Sequence, residues 1–299
     1  MIDPNVAPLL ESIGLPGGDP ATAPASSARF ADGGSYKWEV AGALTAASVD
    51  RLVELLDEHD VRLHQVTNTV GTMRYLDAEI RDLVETCSRQ GIQLRMAVGP
   101  RGVFDIGGQK LASGSVASAS AYRLRGSDAL AQGVDDVLHA ISLGVRGFLV
   151  FDEGLLTVLD ELRTAGAIPD IRLKASSNMG ANNPAHARML ARLGADSVNM
   201  QRDLDVRMLG AVRAATPVPL DLHTDNPSQT GGFVRGYDVP DMVRVAAPVY
   251  LKTGNAAQNF SDAAPSESEI AAIAHQLFLD AQMLRRFSPD ALPSNTPEF

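Results

Sequence analysis

The sequence predicts an α/β protein folded as a (β/α)8 TIM-like barrel with an N-terminal arm, and three observations predict it. Short apolar runs alternate eight times with amphipathic helical stretches. Such alternation builds a parallel sheet, which right-handed crossovers close most simply as a barrel. Several helical stretches end in a glycine, at Gly91, Gly144, Gly166 and Gly194, where the left-handed C-cap conformation favours that residue. No Gly-x-Gly-x-x-Gly turn follows the first strand, as an open dinucleotide-binding sheet would require.

The strands are expected at Tyr36–Ala41, Leu63–Asn68, Gln93–Val98, Gly147–Phe151, Ile171–Ser176, Ser197–Gln201, Pro219–Thr224 and Val249–Thr253. A possible short helix, Val6–Ile13, precedes them. The others are expected at Ala46–His59, Tyr75–Arg89, Asp128–Leu143, Leu155–Thr164, Pro184–Leu193, Asp205–Ala215, Val239–Ala246 and Ser266–Arg286. In the helix from Ala46, Val49, Leu52, Val53, Leu55 and Leu56 fall near a 3.6 period, so one stripe faces inward. Residues 1–34 pass into a Gly-, Pro- and Ser-rich stretch, which favours an arm or linker. Residues 35–287 form the barrel, and 288–299 a Pro- and Ser-rich C-terminal tail expected to be loose.

Composition narrows the function classes. The 299 residues are 45% hydrophobic and can bury a large core. A formal net charge of −10 opposes binding to a phosphate backbone, so no nucleic-acid partner is expected. Cys87 is the single cysteine, which excludes an internal disulfide framework and a cysteine-ligated iron–sulfur cluster. Its place in a helix suits a buried structural thiol. There is no membrane-length apolar run and no signal sequence, so a cytoplasmic protein is expected. The N-terminal arm could serve a contact between copies of the chain.

The stretch Leu220–Asn226, Leu-Asp-Leu-His-Thr-Asp-Asn, concentrates the chemistry. Its period-two alternation puts Asp221, His223 and Asp225 on one face of the seventh strand, facing the barrel interior. Burying such groups costs several kcal/mol unless something pairs with them. Glu39, Lys174 and Lys252 also interrupt apolar strands, so an internal ion network is one reading of the set.

Three sharper readings compete with it. The first is a divalent-metal site made by Glu39, His223, Asp225 and Asn255, an oxygen and nitrogen set suited to magnesium or manganese. That pattern resembles metal-dependent barrel lyases, with a strand-seven His-x-His, a carboxylate on strand one and an asparagine on strand eight. Here Asp225 stands at the second histidine, and strand one lacks the usual Arg-Asp pair. The second is Schiff-base chemistry at Lys252 or Lys174, since burial lowers a lysine pKa and frees the amine as a nucleophile. The third is anion binding by Gly231 and Gly232, whose backbone N–H groups can converge on an anion. Arg235 and Lys252 would add charge. Phe233 and Tyr237 could supply a lid over it. Arg101, after the third strand, is a further substrate clamp, and the loop 107–120 could cover a substrate.

Residues 172–211 contain Arg-Leu-Lys-Ala-Ser-Ser-Asn-Met-Gly-Ala-Asn-Asn, then Leu-Gly-Ala before a strand that ends in Gln-Arg-Asp-Leu. This resembles the central segment of the peptidase U32 family, with Asn182 or Asn183 at its asparagine, Arg202 at its arginine and Asp203 replacing its glutamate. The resemblance implies a TIM-like barrel and a peptide or amide hydrolase. It also implies hydroxylation of RNA bases or ubiquinone precursors, for which the cysteine quartet is missing here. The sequence alone therefore leads to a barrel enzyme acting on a small anionic metabolite, bearing carboxylate or phosphate, by acid/base chemistry of a lyase or isomerase kind. His223, Asp225 and Lys252 would do that chemistry. Arg101, Arg202, Gly231, Gly232 and Arg235 would hold the substrate. A U32-type hydrolase and a non-catalytic barrel subunit are the alternatives.

Overall fold

A computed structural model describes residues 3–102, 105, 122–227, 232–257 and 264–298. Eight parallel strands close in sequence order into one barrel. They are β1 (Tyr36–Gly42), β2 (Gln65–Asn68), β3 (Gln93–Ala97), β4 (Gly147–Val150), β5 (Arg172–Ala175), β6 (Ser197–Asn199), β7 (Leu220–His223) and β8 (Val249–Thr253). The described helices are α1 (Val6–Ser12), α2 (Ala46–Asp57), α3 (Asp77–Gln90), α4 (Gly126–Ser142) and α5 (Glu153–Thr164). They continue with α6 (Pro184–Arg192), α7 (Val206–Ala215), α8 (Val239–Ala246) and α9 (Glu267–Phe287). The expected strand count holds, and the stretch from Leu220 does supply the seventh strand.

Local sequence starts and stops these helices. Thr45 and Ser48 form a reciprocal capping box at α2, and Ser266 and Glu269 form another at α9. Asp152, Asn183 and Asp205 each accept a backbone N–H at the start of α5, α6 and α7. Gly91 ends α3 at φ 67°, a left-handed conformation that a side chain would strain.

Alternate strand residues divide the core in two. Outward side chains such as Val40, Val66, Met96, Phe148, Val198, Leu222 and Leu251 pack under the helices in one apolar cluster. The buried thiol of Cys87 belongs to that cluster, and burial pushes its pKa up to about 12. The inward side chains are unlike the bulky aliphatics that usually fill such barrels. They include Lys37, Glu39, Gln65, Thr67, Gln93, Arg95, Lys174, Asn199, Asp221, His223, Tyr250 and Lys252, all buried. Gly147 lies on β4 because a Cβ there would meet the Arg95 side chain and the Leu94 carbonyl.

The terminal segments differ from expectation. The tail is not loose: it plugs the barrel at the N-terminal ends of the strands. Ser294 N donates to Tyr36 O at 2.8 Å, and Lys37 Nζ donates to Thr296 O at 2.8 Å. Tyr250 Oη donates to Glu298 Oε2 at 3.0 Å. The arm lies on the barrel as well. Ser26 N donates to Arg244 O at 2.7 Å, and Phe30 packs edge-on against Tyr250 with ring centroids 5.5 Å apart. Composition reported the lack of regular structure in both segments but not their hydrogen bonds, which are long-range. Among the described residues, no helix is long and apolar enough to cross a membrane.

Candidate functional site

Strand pairing brings the inward polar residues into a row. Gln93 of β3 is in register with Gln65 of β2, Gln65 with Glu39 of β1, Glu39 with Lys252 of β8, and Lys252 with His223 of β7. Strands in such barrels tilt against the axis, so this row climbs from the plugged end to the C-terminal ends of the strands. A second row joins Lys37, Tyr250, Asp221 and Asn199.

Glu39 is the centre of the cluster. Its Oε2 accepts from Lys174 Nζ at 2.6 Å and Gln65 Nε2 at 2.8 Å, while its Oε1 accepts from Thr67 Oγ1 at 2.7 Å. Lys252 Nζ lies 3.2 Å from Oε1. Burial alone would raise the Glu39 carboxyl, but the ammonium groups of Lys174 and Lys252 hold it well below its ordinary value. Lys174 also pairs with Asp221. Burial raises Asp221 to about 7 despite that lysine, and the neighbouring Glu39 adds to the rise.

His223 and Lys252 sit at the upper end of this cluster. Burial, with Lys252 and Arg202 nearby, keeps the imidazole neutral far below its usual titration range. Burial also lowers Lys252, against the pull of Glu39, with Lys174 adding to the fall. Several buried polar atoms at this end have no hydrogen-bond partner among the described residues: His223 Nδ1, Asn199 Oδ1, both amide atoms of Asn226, Asn255 Nδ2 and Arg202 Nε. The opposite wall is apolar, formed by Ala97, Leu149 and Phe151 with Tyr122 packed on them. Tyr122 stacks on Phe151 with centroids 5.4 Å apart. The barrel interior at the C-terminal strand ends, called the chamber below, thus has one ionic wall and one hydrocarbon wall.

Several sequence candidates are committed elsewhere. Arg101 does not reach for a substrate: its guanidinium bonds Asp105, Thr69 O at 2.8 Å, and Val70 O. Arg235 clamps loops, donating to Asp238 Oδ2 at 2.9 Å and to Arg202 O at 3.0 Å. The Gly232 N–H is used at 3.0 Å by Pro227 O, within the turn that its φ of 62° allows. Gly231 and the loop 107–120 lie outside the described residues. Tyr237, expected as a lid, is 84% exposed.

The expected metal set does not fit a divalent ion. Both Glu39 oxygens are already engaged, Oε2 by Lys174 and Gln65 and Oε1 by Thr67 with Lys252 Nζ 3.2 Å away. Asp225 lies past the end of β7, where its Oδ2 accepts from Gly254 N and Ala256 N at 3.0 Å and braces the loop after β8. Among the described residues, no three His, Cys, Asp or Glu side chains group to hold a metal. His223 and Asn255 stay in the chamber, with no ligand set around them.

Lys174 turns from a member of an ion network into its central cation. Asn199, from β6, and Phe151, with Tyr122 stacked on it, join the residues named from the sequence. Away from the barrel interior, Asp280, on α9, is fully buried and raised by burial to about 7. The polar residues inside otherwise apolar strands signalled Lys174 and Asn199. Nothing local marks the apolar wall or Asp280.

No protein-family model matches the sequence, and no curated protein matches it. Solved structures share the fold at low identity. A U32 peptidase, Mk0906, is 16% identical, with 75% of this chain and 96% of that chain covered at a TM-score of 0.46. The YdjI aldolase from Escherichia coli K12 is 13% identical, with 85% and 92% covered and a TM-score of 0.48. D-Psicose 3-epimerase from Clostridium cellulolyticum H10 is 12% identical, with 86% and 100% covered and a TM-score of 0.47. At these identities the likeness is one of fold.

Proposed function

We propose that this chain is an enzyme that binds a small carboxylate-bearing metabolite in the mouth of its barrel and transforms it by acid/base chemistry of a lyase or isomerase kind. The observation that supports this reading is the group of partnerless buried polar atoms on His223, Asn199, Asn226, Asn255 and Arg202, gathered beside Lys252. Leaving such atoms unpaired costs about 1–3 kcal/mol each. A polar ligand that supplies their partners recovers that cost on binding. Arg202 offers its free Nε edge to the carboxylate, and the amides of Asn199, Asn226 and Asn255 suit hydroxyl or carbonyl oxygens. Lys252 stabilises negative charge that develops on a substrate oxygen. Neutral His223 takes or gives a proton. With the Gly232 N–H committed, carboxylate is favoured over phosphate.

Amide hydrolysis of the U32 type is a second reading, favoured by one observation. A groove of about 610 Å³ lies between the loops after β6 and β7, lined by Arg202, Asp203, Arg207, Phe233 and Arg235 among others. Such a groove could seat an extended chain.

The test is calorimetric binding of a panel of 2-oxo and 2-hydroxy acids, beside unstructured peptides. Small acids are expected to bind, with the affinity falling about tenfold or more in Arg202→Ala. The reading is overturned if none binds, or if His223→Ala, Lys252→Ala and Arg202→Ala all fold and bind like the parent protein.

A further inference from the structure

The chain holds only four lysines, Lys37, Lys110, Lys174 and Lys252, against twenty-two arginines. Lys37, Lys174 and Lys252 are each no more than 2% exposed inside the barrel, and Lys110 lies outside the described residues. The three described lysines are thus all inside the barrel, whereas most arginines lie outside it. Arginine stays protonated in proteins, whereas a buried lysine can give up its proton and become a nucleophile.

The three buried lysines are not equivalent. Lys37 is held at the plugged end by Gln93 Oε1 at 2.7 Å and Thr296 O at 2.8 Å. Lys174 lies between two carboxylates, Glu39 and Asp221. Lys252 has one ion-pair partner among the described residues, Glu39 at 3.2 Å, and stands beside His223 at the chamber. We infer that Lys252 is a covalent nucleophile that forms an imine with the carbonyl carbon of a small aldehyde or ketone acid, the proton it gives up being held between Asp221 and Glu39.

The arrangement of charges supports the step. Asp221 and Glu39 are within hydrogen-bonding reach of each other, and Asp221 Oδ2 finds no donor among the protein groups. A proton between these carboxyls satisfies both. Lys252 is then the neutral amine, Lys174 pairs with Glu39, and the four groups sum to zero charge. The amine lone pair attacks the carbonyl carbon, and the carbonyl oxygen takes up a proton to give the carbinolamine. His223 is placed to relay protons as nitrogen loses one and the hydroxyl gains one. The carbon–oxygen bond then breaks, water leaves, and nitrogen closes the C=N bond. Overall, amine, carbonyl compound and the carboxyl proton give iminium and water. Two carboxylates now face one ammonium and one iminium, so the sum of charges is again zero. No oxidant, reductant or external proton is needed. The iminium would draw electrons from the adjacent carbon, as lyase or isomerase chemistry requires.

This inference rests on the proposed small-acid site, so its test measures binding and bond formation separately. The intact protein is incubated with glyoxylate or pyruvate, reduced with sodium borohydride, and analysed by intact mass and peptide mapping. One reduced adduct per chain on Lys252 is expected. It should be absent from Lys252→Met and retained, more slowly formed, in His223→Gln. Folding of each variant is checked by thermal melting. Calorimetric binding of either acid without any Lys252 adduct overturns the covalent step and leaves the small-acid site standing. An adduct of equal yield in Lys252→Met overturns it as well. Neither binding nor adduct from either acid overturns both.

Discussion

The two ends of this barrel are built from the same kinds of residues and treat them oppositely. At the plugged end, Lys37, Gln65, Gln93, Arg95 and Tyr250 are bonded to one another or to the tail. Gln93 Nε2 donates to Tyr250 Oη at 3.1 Å and to Gln65 Oε1 at 3.3 Å, and Arg95 Nη2 donates to Glu298 O at 3.2 Å. Ser294 Oγ is the buried side-chain atom left over in that tail. At the C-terminal mouth, His223, Asn199, Asn226, Asn255 and Arg202 all keep buried atoms with no partner among the described residues. A buried polar network with its partners in place rigidifies a fold, and one without them is waiting for something. Polarity inside a barrel therefore does not by itself mark a site; the unpaired polarity at the mouth is what supports the proposed one.

Glu39 belongs to both ends, and removing its charge is the severest way to break the comparison. Glu39→Gln leaves Lys252 without its partner and Lys174 with Asp221 alone. Loss of one member of a buried pair costs about 3–5 kcal/mol, to be read from the denaturant midpoint. A midpoint like the parent's would show that the cluster contributes no net stability.

A gentler test sets the ends apart by pH. At the plugged end His64 Nδ1 accepts from Trp38 N at 3.0 Å, which requires the neutral ring. Burial lowers His64 from its ordinary 6.5 to about 4. A lowered folded pKa means stability that is complete above the unfolded value and lost as pH falls towards the folded one. The acid loss therefore falls between about pH 6.5 and 4 and reaches no more than about 3 kcal/mol. Melting temperature should drop across that window, and His64→Gln should flatten the drop. An unchanged slope in that variant would remove His64 from the account.

A companion test has the opposite sign and a size comparable to that of His64. Asp280 Oδ1 accepts from Gln276 Nε2 at 2.9 Å, and burial raises the carboxyl to about 7. A raised carboxyl stabilises below its unfolded pKa, near 3.8, and that stability is lost as pH rises to about 7. Asp280→Asn should thus raise the melting temperature at pH 8 and leave it little changed at pH 4. A rise of equal size at both pH values would show that packing, not charge, sets the difference.

The sequence made the fold legible because strand alternation and helix punctuation are local. Lys174, Asp221, His223 and Lys252 each announced themselves as charge or imidazole within an apolar strand. Their partners did not, because register pairs such as Glu39 with Lys252 join residues more than two hundred positions apart. In sequence the Arg101 guanidinium looks available, whereas in the fold the carbonyls of Thr69 and Val70 close around it. The period-two face stops before Asp225, because β7 ends at His223. The lysines beside Glu39 come from β5 and β8, so no local pattern shows them.

The plug has a consequence for how the molecule is made. Lys37 and Thr296 are 259 residues apart in sequence, and Ser35 and Leu292 are 257 apart. Contacts of such separation are slow to form, because the loop they close must be ordered before they return anything. During synthesis, β1 to β8 can assemble while Lys37 and Arg95 still lack the tail acceptors that complete their pairing. A nascent chain paused before residues 292–298 would leave Lys37 and Arg95 without those acceptors.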